Sequence, residues 1–286
     1  MERRDFLRAA GAAALGAAAL PPRDMPAYGH SPREGTRAHL APLGVQLYTM
    51  RSVMPRDPEG TLARIAQIGY QTVEWWGEYG RTPGQIRALL DRNHLRSPSG
   101  HYGLEALEGD AVDATLRTAR TLGHHYLVVA STPPETQTSL DGWRRVADRF
   151  NVAAERIHRE GFQFAYHNHD FEFRELEGRI PYDVLCENTD PHLVQLEVDL
   201  YWIITGGGDP IALFHRWPGR IPMVHVKDRT ADGRMVDVGA GAIDWRGIFA
   251  HRGEAGIRYY FVEHDDPPDP FASIQASYRY LSQLDV

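Results

Sequence analysis

Eight short apolar runs, each followed by a longer stretch, recur along this chain in one unbroken series. They are "LGVQLYT" from Leu43, "QTVEWW" from Gln71, "LRSPSGHY" from Leu95 and "YLVVAS" from Tyr126, then "FQFAYHNH" from Phe162, "LVQLEVD" from Leu193, "IPMVHVKD" from Ile221 and "RYYFVEHD" from Arg258. Rich in Val, Ile, Leu and Tyr, they read as strands. They begin about 24–37 residues apart, the length of a strand plus a crossover helix. The segments between them carry helical signals. "DPEGTLARIAQIGY" sets Leu62, Ile65 and Ile68 on one face and closes on Gly69, while "TPGQIRALLDRNH" opens with a capping Thr82 and Pro83. "SLDGWRRVADRFNVAAERIHREG", "DWRGIFAHRGEAG" and "PFASIQASYRYLSQL" complete the helix candidates. Eight βα units without a linker predict one α/β domain, a (β/α)₈ or TIM barrel, over residues 40–286. A doubly wound sheet would usually show a glycine-rich phosphate loop after its first strand, and "GVQLYTMRS" has none.

The N-terminus stands apart. Arg3 and Arg4 precede Phe6, Leu7 and an alanine-rich run too short to span a bilayer. This is the pattern of a twin-arginine export signal, so residues 1–31 are expected to be a signal peptide and linker and the folded protein periplasmic. No membrane association is expected once the signal is removed. The formal net charge of −7, with no basic run after the first few residues, argues against a nucleic-acid partner. Cys186, the only cysteine, excludes an intrachain disulfide or a cysteine-based zinc cluster and reads as a small core residue.

In a (β/α)₈ barrel the active site lies at the C-terminal ends of the strands. Those ends are rich in ionisable groups here: Gln46 and Tyr48, Glu74 with Trp75 and Trp76, His101, His167 and His169, Glu197 and Asp199, His225 with Lys227 and Asp228, and Glu263 with Asp265. Alternation puts His167 with His169, Glu197 with Asp199, and His225 with Lys227 on shared faces. Burying so many charges is very costly unless they are paired or bind a metal. Four inward groups, His167, Asp199, His225 and Glu263, could converge on one cation. Two imidazoles and two carboxylates suit Mn²⁺, Zn²⁺, Co²⁺ or Fe²⁺. The alternative is a ring of salt bridges around a water-filled mouth.

In order and spacing, "GVQLYT", "TVEWWG", "YHNHDFEF", "LEVDLYW" with "GGDP", "VHVKD", "VGAGAIDW" and "VEHDDP" resemble the sugar phosphate isomerase/epimerase family, the xylose-isomerase-like TIM barrels, from Gly44 to about Leu281. The resemblance implies a metal-dependent enzyme acting on ketoses, aldoses or cyclitols, with Mn²⁺ the first choice of ion. It carries a ligand set of Glu, Asp, His and Glu onto strands five to eight. Asp199, His225 and Glu263 match; His167 stands where many members have glutamate. Epimerases of the family are thought to use both glutamates on opposite faces of an enediolate, so one proton-transfer group is missing here. The Tyr-His-x-His pattern is similar to that of the inosose dehydratase branch. Ala240 in "VGAGAIDW" replaces a common acidic residue, leaving that loop as either a substrate contact or a turn before a helix.

Within this frame Glu263 is expected to be both ligand and general base. Lys227 would stabilise an oxyanion or donate a proton, unless it only pairs with Asp228 or Glu197. His169 would do proton work on the second face, or hold a ligand by a hydrogen bond. Gln46, Glu74, Trp75, His101 and Trp202 are expected at the substrate, with Trp76 as a further flat apolar face. Glu172 reads as exposed, and His124–His125 as structural. The main expectation is an isomerase or epimerase of a non-phosphorylated sugar or keto-sugar. The alternative is a dehydratase or lyase of a keto-cyclitol or 3-keto-glycoside using the same enolisation. A non-catalytic sugar-binding protein would have no use for four convergent ligands, and an abasic-site endonuclease would need a basic DNA-facing surface. These features do not fix the oligomeric state; a homo-oligomer is the alternative to a monomer.

Overall fold

The computed structural model describes residues 40–77 and 79–286; the expected export signal at residues 1–31 lies outside them. Eight parallel strands close into a barrel: β1 (Leu43–Gln46), β2 (Thr72–Trp75), β3 (Arg96–Tyr102), β4 (Tyr126–Val129), β5 (Gln163–His167), β6 (Val194–Asp199), β7 (Met223–Val226) and β10 (Tyr259–Val262), the last pairing back onto β1. Between β7 and β10 a two-stranded antiparallel ribbon, β8 (Asp228–Arg229) and β9 (Met235–Val236), rises from the C-terminal rim. The expected (β/α)₈ barrel is the fold.

Local chemistry starts and stops the outer helices. Asp57 accepts from Gly60 N–H to open α1 (Pro58–Ile68), and Gly69 at φ 120° ends it. A reciprocal Thr82–Gln85 pair caps α2 (Pro83–Arg92). Ser139 caps the long α4 (Leu140–His158). Four helices go beyond the segments that periodicity singled out: α3 (Val112–Leu122), α5 (Pro181–Glu187), α6 (Leu200–Thr205) and α7 (Pro210–Arg216). Three of these have only six or seven residues, too few to display a period. The expected helix at "DWRGIFAHRGEAG" is two pieces, α8 (Trp245–Phe249) and α9 (Arg252–Ala255). Helix α10 (Pro270–Leu281) closes the ring beside α1. Among the described residues no helix is long and apolar enough to cross a membrane.

Strand alternation divides the barrel into two environments. Val45, Val73, Leu127, Phe164, Leu196, Val224 and Tyr260 point outward into the large apolar layer shared with the helices. Tyr126, Val128, Ala165, Met223 and Phe261 form a separate apolar cluster inside. Gly44 is required there: a Cβ at this position would stand 2.5 Å from Thr72 Oγ1 and 2.6 Å from a Phe261 ring carbon. The same inward positions, followed toward the strand C-termini, become Glu74, His101, His167, Glu197, Asp199, His225 and Glu263. The barrel is thus plugged by apolar side chains below and filled by ionisable ones above.

Cys186 is buried in α5 and its thiol pKa is pushed up to about 12 by that burial, which leaves it an inert core residue.

Candidate active site and metal centre

Adjacent strands bring Asp199, His225 and Glu263 together, with His167 beside Asp199. Strand register sets Asp199 beside His225 and His225 beside Phe261, two residues before Glu263. His225 Nδ1 lies 2.7 Å from Glu263 Oε2 and 4.0 Å from Asp199 Oδ2, and His167 Nε2 lies 3.9 Å from Asp199 Oδ2. Asp199 also begins α6, accepting from Trp202 N–H at 3.0 Å through its other oxygen. Asn168 accepts from Asp199 N–H at 3.0 Å, so the segment between the two histidines of "HNH" anchors the neighbouring strand.

This arrangement fits a cation. Asp199, His225 and Glu263 offer donor atoms within 4.8 Å of one another. Glu74 Oε1 and Glu197 Oε1 are buried carboxylate oxygens without a hydrogen-bond donor, and Asp199 Oδ2 meets only the Lys227 ammonium at 3.0 Å. Such atoms are expensive to bury unless an ion or a ligand completes them. Below lies a deeper group. His101 Nε2 is 2.8 Å from Glu197 Oε2 and 3.1 Å from Glu74 Oε2, and His225 Nε2 is 2.6 Å from Glu74 Oε2. His101, His167, Glu197 and His225 likewise present donors within 4.8 Å. A third trio, exposed His215 and Glu254 with half-buried His251, lies on α7 and at α9 and does not line the cavity above the ligands.

The charges are set by the neighbours. Burial works against an ionised Glu263, but Lys227 and His225 outweigh it and hold its pKa well below the carboxylate range. Burial raises Asp199 to about 6 in spite of Lys227. Burial would lower His101, yet Glu74 and Glu197 hold it up at about 9; the same contest, won by Glu197, Glu263 and Glu74, raises His225. Burial and the neighbouring His225 and His101 lower His167, and burial with Lys227 lowers His169 to about 4. Both of these imidazoles are therefore neutral near pH 7.

A cavity of about 190 Å³ opens above the ligands, lined by Tyr48, Trp76, His101, Ala130, His167, His169, Trp202, Lys227, Glu263 and Asp265. It is smaller than drug-sized pockets of about 300–1,000 Å³ and suits a small polar ring. His169 sits on its wall with Nδ1 buried and unpartnered, its ring stacked on Phe171 at 5.6 Å. Lys227 Nζ contacts Glu263 Oε2 at 2.8 Å, Asp265 Oδ1 at 2.8 Å and Asp199 Oδ2 at 3.0 Å. Those carboxylates outweigh its burial and raise its pKa, so it remains an ammonium. Its partners are thus Asp199, Glu263 and Asp265 and not the expected Asp228 or Glu197.

Three expected substrate contacts are also corrected. Trp75 faces out of the barrel and packs edge-on against Tyr79 at 5.1 Å, because alternation after Glu74 turns it toward the helices. Gln46 and Glu74 do point inward, but they are fully buried beneath the cavity and bonded to each other at 2.8 Å. His101 reaches the cavity from this lower tier; Trp76 and Trp202 line its wall.

The loop at "VGAGAIDW" is held by Asp228, which accepts from Gly239 N–H, Gly241 N–H and Trp245 Nε1–H at 2.8, 3.2 and 3.0 Å. A Cβ on Gly241 would stand 2.1 Å from Asp228 Oδ1. The loop is the turn before α8 and does not line the cavity. His124 is buried and bonded to Ser97 and Tyr102, in keeping with a structural role.

Glu172 is the residue that sequence reasoning missed. It is fully buried, accepts from Tyr166 Oη–H at 2.6 Å and from His169 N–H at 2.9 Å, and so clamps the backbone under His169. The one signal was its place three residues after His169, within reach of that N–H across the 3₁₀ turn Phe171–Phe173. Burial pushes its pKa up from 4.5 to about 7. A carboxyl with a raised native pKa contributes most stability below its unfolded pKa and loses it as pH rises through the native value. Glu172→Gln keeps an acceptor for the His169 amide without the charge. It is expected to raise the melting temperature at pH 8, by up to about 3 kcal/mol in stability, with the gain shrinking toward pH 4.5. Thermal melts from pH 5 to 8 test this; a gain independent of pH would contradict it.

The family described as xylose isomerase-like TIM barrel matches residues 62–284. An inosose dehydratase of Geobacillus kaustophilus (strain HTA426) is 27% identical, covering 78% of this chain and 86% of its own length. The rhizopine catabolism protein MocC of Rhizobium meliloti is 29% identical, covering 70% of this chain and 68% of its own. A sugar phosphate isomerase/epimerase of Parabacteroides distasonis ATCC 8503, solved by crystallography, superposes with a TM-score of 0.75 at 26% identity, over 85% of this chain and 98% of its own.

Proposed function

The chain belongs to the xylose isomerase-like TIM barrel family, and from that premise we propose that it is a metal-dependent dehydratase or lyase that eliminates a β-leaving group from a keto-cyclitol or 3-keto-glycoside. The observation that carries this reading is the asymmetry of the site. One carboxylate, Glu263, is tied by Lys227 and His225. The facing position holds His167, and an unpartnered imidazole, His169, stands on the cavity wall. Two opposed carboxylates, which a two-base epimerisation would use, are not both available. The likeness to an inosose dehydratase supports the same choice.

A divalent ion held by His167, Asp199, His225 and Glu263 would supply a Lewis acid for the substrate carbonyl. Mn²⁺, Zn²⁺, Co²⁺ and Fe²⁺ all suit these donors. His169 takes the proton from the carbon next to the carbonyl. The C–H electron pair forms the C=C bond while the β C–O bond breaks. The imidazolium returns its proton to the departing oxygen, so water or an alcohol leaves. Lys227, a fixed positive charge 5.5 Å from the centre of the Trp202 ring, steadies negative charge on the carbonyl oxygen. Tyr48, Trp76 and Trp202 offer apolar faces to the ring.

The substrate is expected to be uncharged. No arginine lines the cavity among the described residues, and three carboxylates already engage Lys227, so nothing is left to hold a phosphate. We also keep the periplasm as the expected compartment, on the twin-arginine pattern.

Isomerisation or epimerisation is the second reading, favoured by the likeness to the P. distasonis protein. The two separate in D₂O. Metal-loaded protein is incubated with a keto-cyclitol and with a 3-keto-glycoside. Loss of water or alcohol to give an unsaturated ketone supports elimination. Deuterium in recovered substrate with an inverted centre, and no such loss, would replace it by epimerisation. Neither exchange nor product, with no bound metal, would leave a sugar-binding protein.

A further inference from the structure

We infer that Glu74 is a positioning residue for the metal centre: from beneath the site it fixes which nitrogen of His225 faces the ion. The inference rests on the proposal that His225 is a ligand.

Glu74 Oε2 is approached by three side-chain donors from three other strands. Gln46 Nε2 on β1 is at 2.8 Å, His101 Nε2 on β3 at 3.1 Å and His225 Nε2 on β7 at 2.6 Å. The residue is completely buried. A carboxylate in the middle of a barrel strand is costly unless its charge is used, and an apolar residue would pack there at no such cost. Its shortest contact identifies the use. With Nε2–H donated to Glu74, Nδ1 of His225 is the nitrogen turned toward Glu263 at 2.7 Å and Asp199 at 4.0 Å, and an ion bound between them would take the place of the Nδ1 proton now shared with Glu263. A carboxylate behind a ligating imidazole fixes the tautomer and ring orientation and makes the other nitrogen a better donor.

His101 completes the support. Its ring lies parallel to that of His225, 3° apart at 5.4 Å, and its Nε2 is shared between Glu74 and Glu197. A ring with a stacked neighbour on one face and a hydrogen bond at its far nitrogen has little freedom to tilt. The deeper donors His101, His167, Glu197 and His225 form the rival position for an ion. Glu74 already engages His225 Nε2 at 2.6 Å, which leaves that nitrogen unavailable to a cation below.

The test uses Co²⁺ as probe, titrated into metal-stripped full-length protein carrying His215→Ala, so that the trio on α7 and at α9 does not contribute. Glu74→Gln preserves volume, and its far-UV dichroism and melting report folding. It is expected to weaken Co²⁺ binding by about 10–100-fold and to shift the visible absorption of the bound ion. Gln46→Leu, which removes one partner of Glu74 and no charge, is expected to weaken binding by a smaller factor in the same direction, and serves if Glu74→Gln does not fold. Wild-type affinity and an unchanged spectrum in Glu74→Gln, with binding lost in Asp199→Asn and His225→Ala, would overturn the role of Glu74 and leave the metal site standing. Binding that survives Asp199→Asn and Glu263→Gln but fails in Glu197→Gln would place the ion in the lower tier and overturn both. Wild-type protein that takes up no Co²⁺ would likewise remove both.

Discussion

Asp199→Asn is expected to abolish metal binding and to lower turnover by about 10³-fold or more, with the barrel still folded. The size follows from the several kcal/mol that a Lewis acid contributes to a developing negative charge, at about 1.4 kcal/mol per decade of rate. The fold is expected to survive because the residue has two separable duties. One oxygen caps α6 through Trp202 N–H, and asparagine caps as well as aspartate does. The other faces His167 and His225 at 3.9 and 4.0 Å and the Lys227 ammonium at 3.0 Å. Only the second duty needs the negative charge. Metal analysis and melting curves on the same preparation check both halves; full metal content in the variant would remove Asp199 from the ligand set.

His169→Gln is expected to cut kcat by about 10²–10⁴-fold, the range for losing a general acid–base group, while metal content stays at the wild-type level. The backbone at this position is held by Glu172 whatever the side chain, so the fold is not at stake. Solvent deuterium uptake is the sharper readout, because without the imidazole no group on that wall takes the α-proton. A variant that still exchanges at the wild-type rate would move the base to another residue, Glu263 being the first to examine. Comparing the two substitutions separates the roles: one loses the ion and the chemistry, the other the chemistry alone.

The ligand candidates were legible because barrel logic is local and repetitive. Knowing that strand ends carry the site, one can pick His167, Asp199, His225 and Glu263 from their positions in four successive strands. The structure brings Asp199, His225 and Glu263 within 4.8 Å of one another and sets His167 3.9 Å from Asp199, in the deeper group. Face assignment was less secure. Glu74 and Trp75 are sequence neighbours, and the pleat sends one inward and the other to the helices. Depth was not legible at all: Glu197 and Asp199 share a face, yet one pairs with His101 in the lower tier and the other with Lys227, which lines the cavity. Glu172 shows the same limit. A glutamate beyond a strand end is usually solvated, and only the 3₁₀ turn that folds it back beneath His169 takes it out of water.

The sequence by itself determined the eightfold strand–helix order, the strand-end residues that could hold a metal, and the isolation of Cys186, because each is carried by periodicity or residue type over a few neighbouring positions. Only the tertiary structure decided that Lys227 lies among Asp199, Glu263 and Asp265 and that Asp228 holds the loop before α8. It alone set Glu74 beneath His225. These contacts join residues far apart in sequence, and barrel closure, with the register of its strands, fixes which charge meets which.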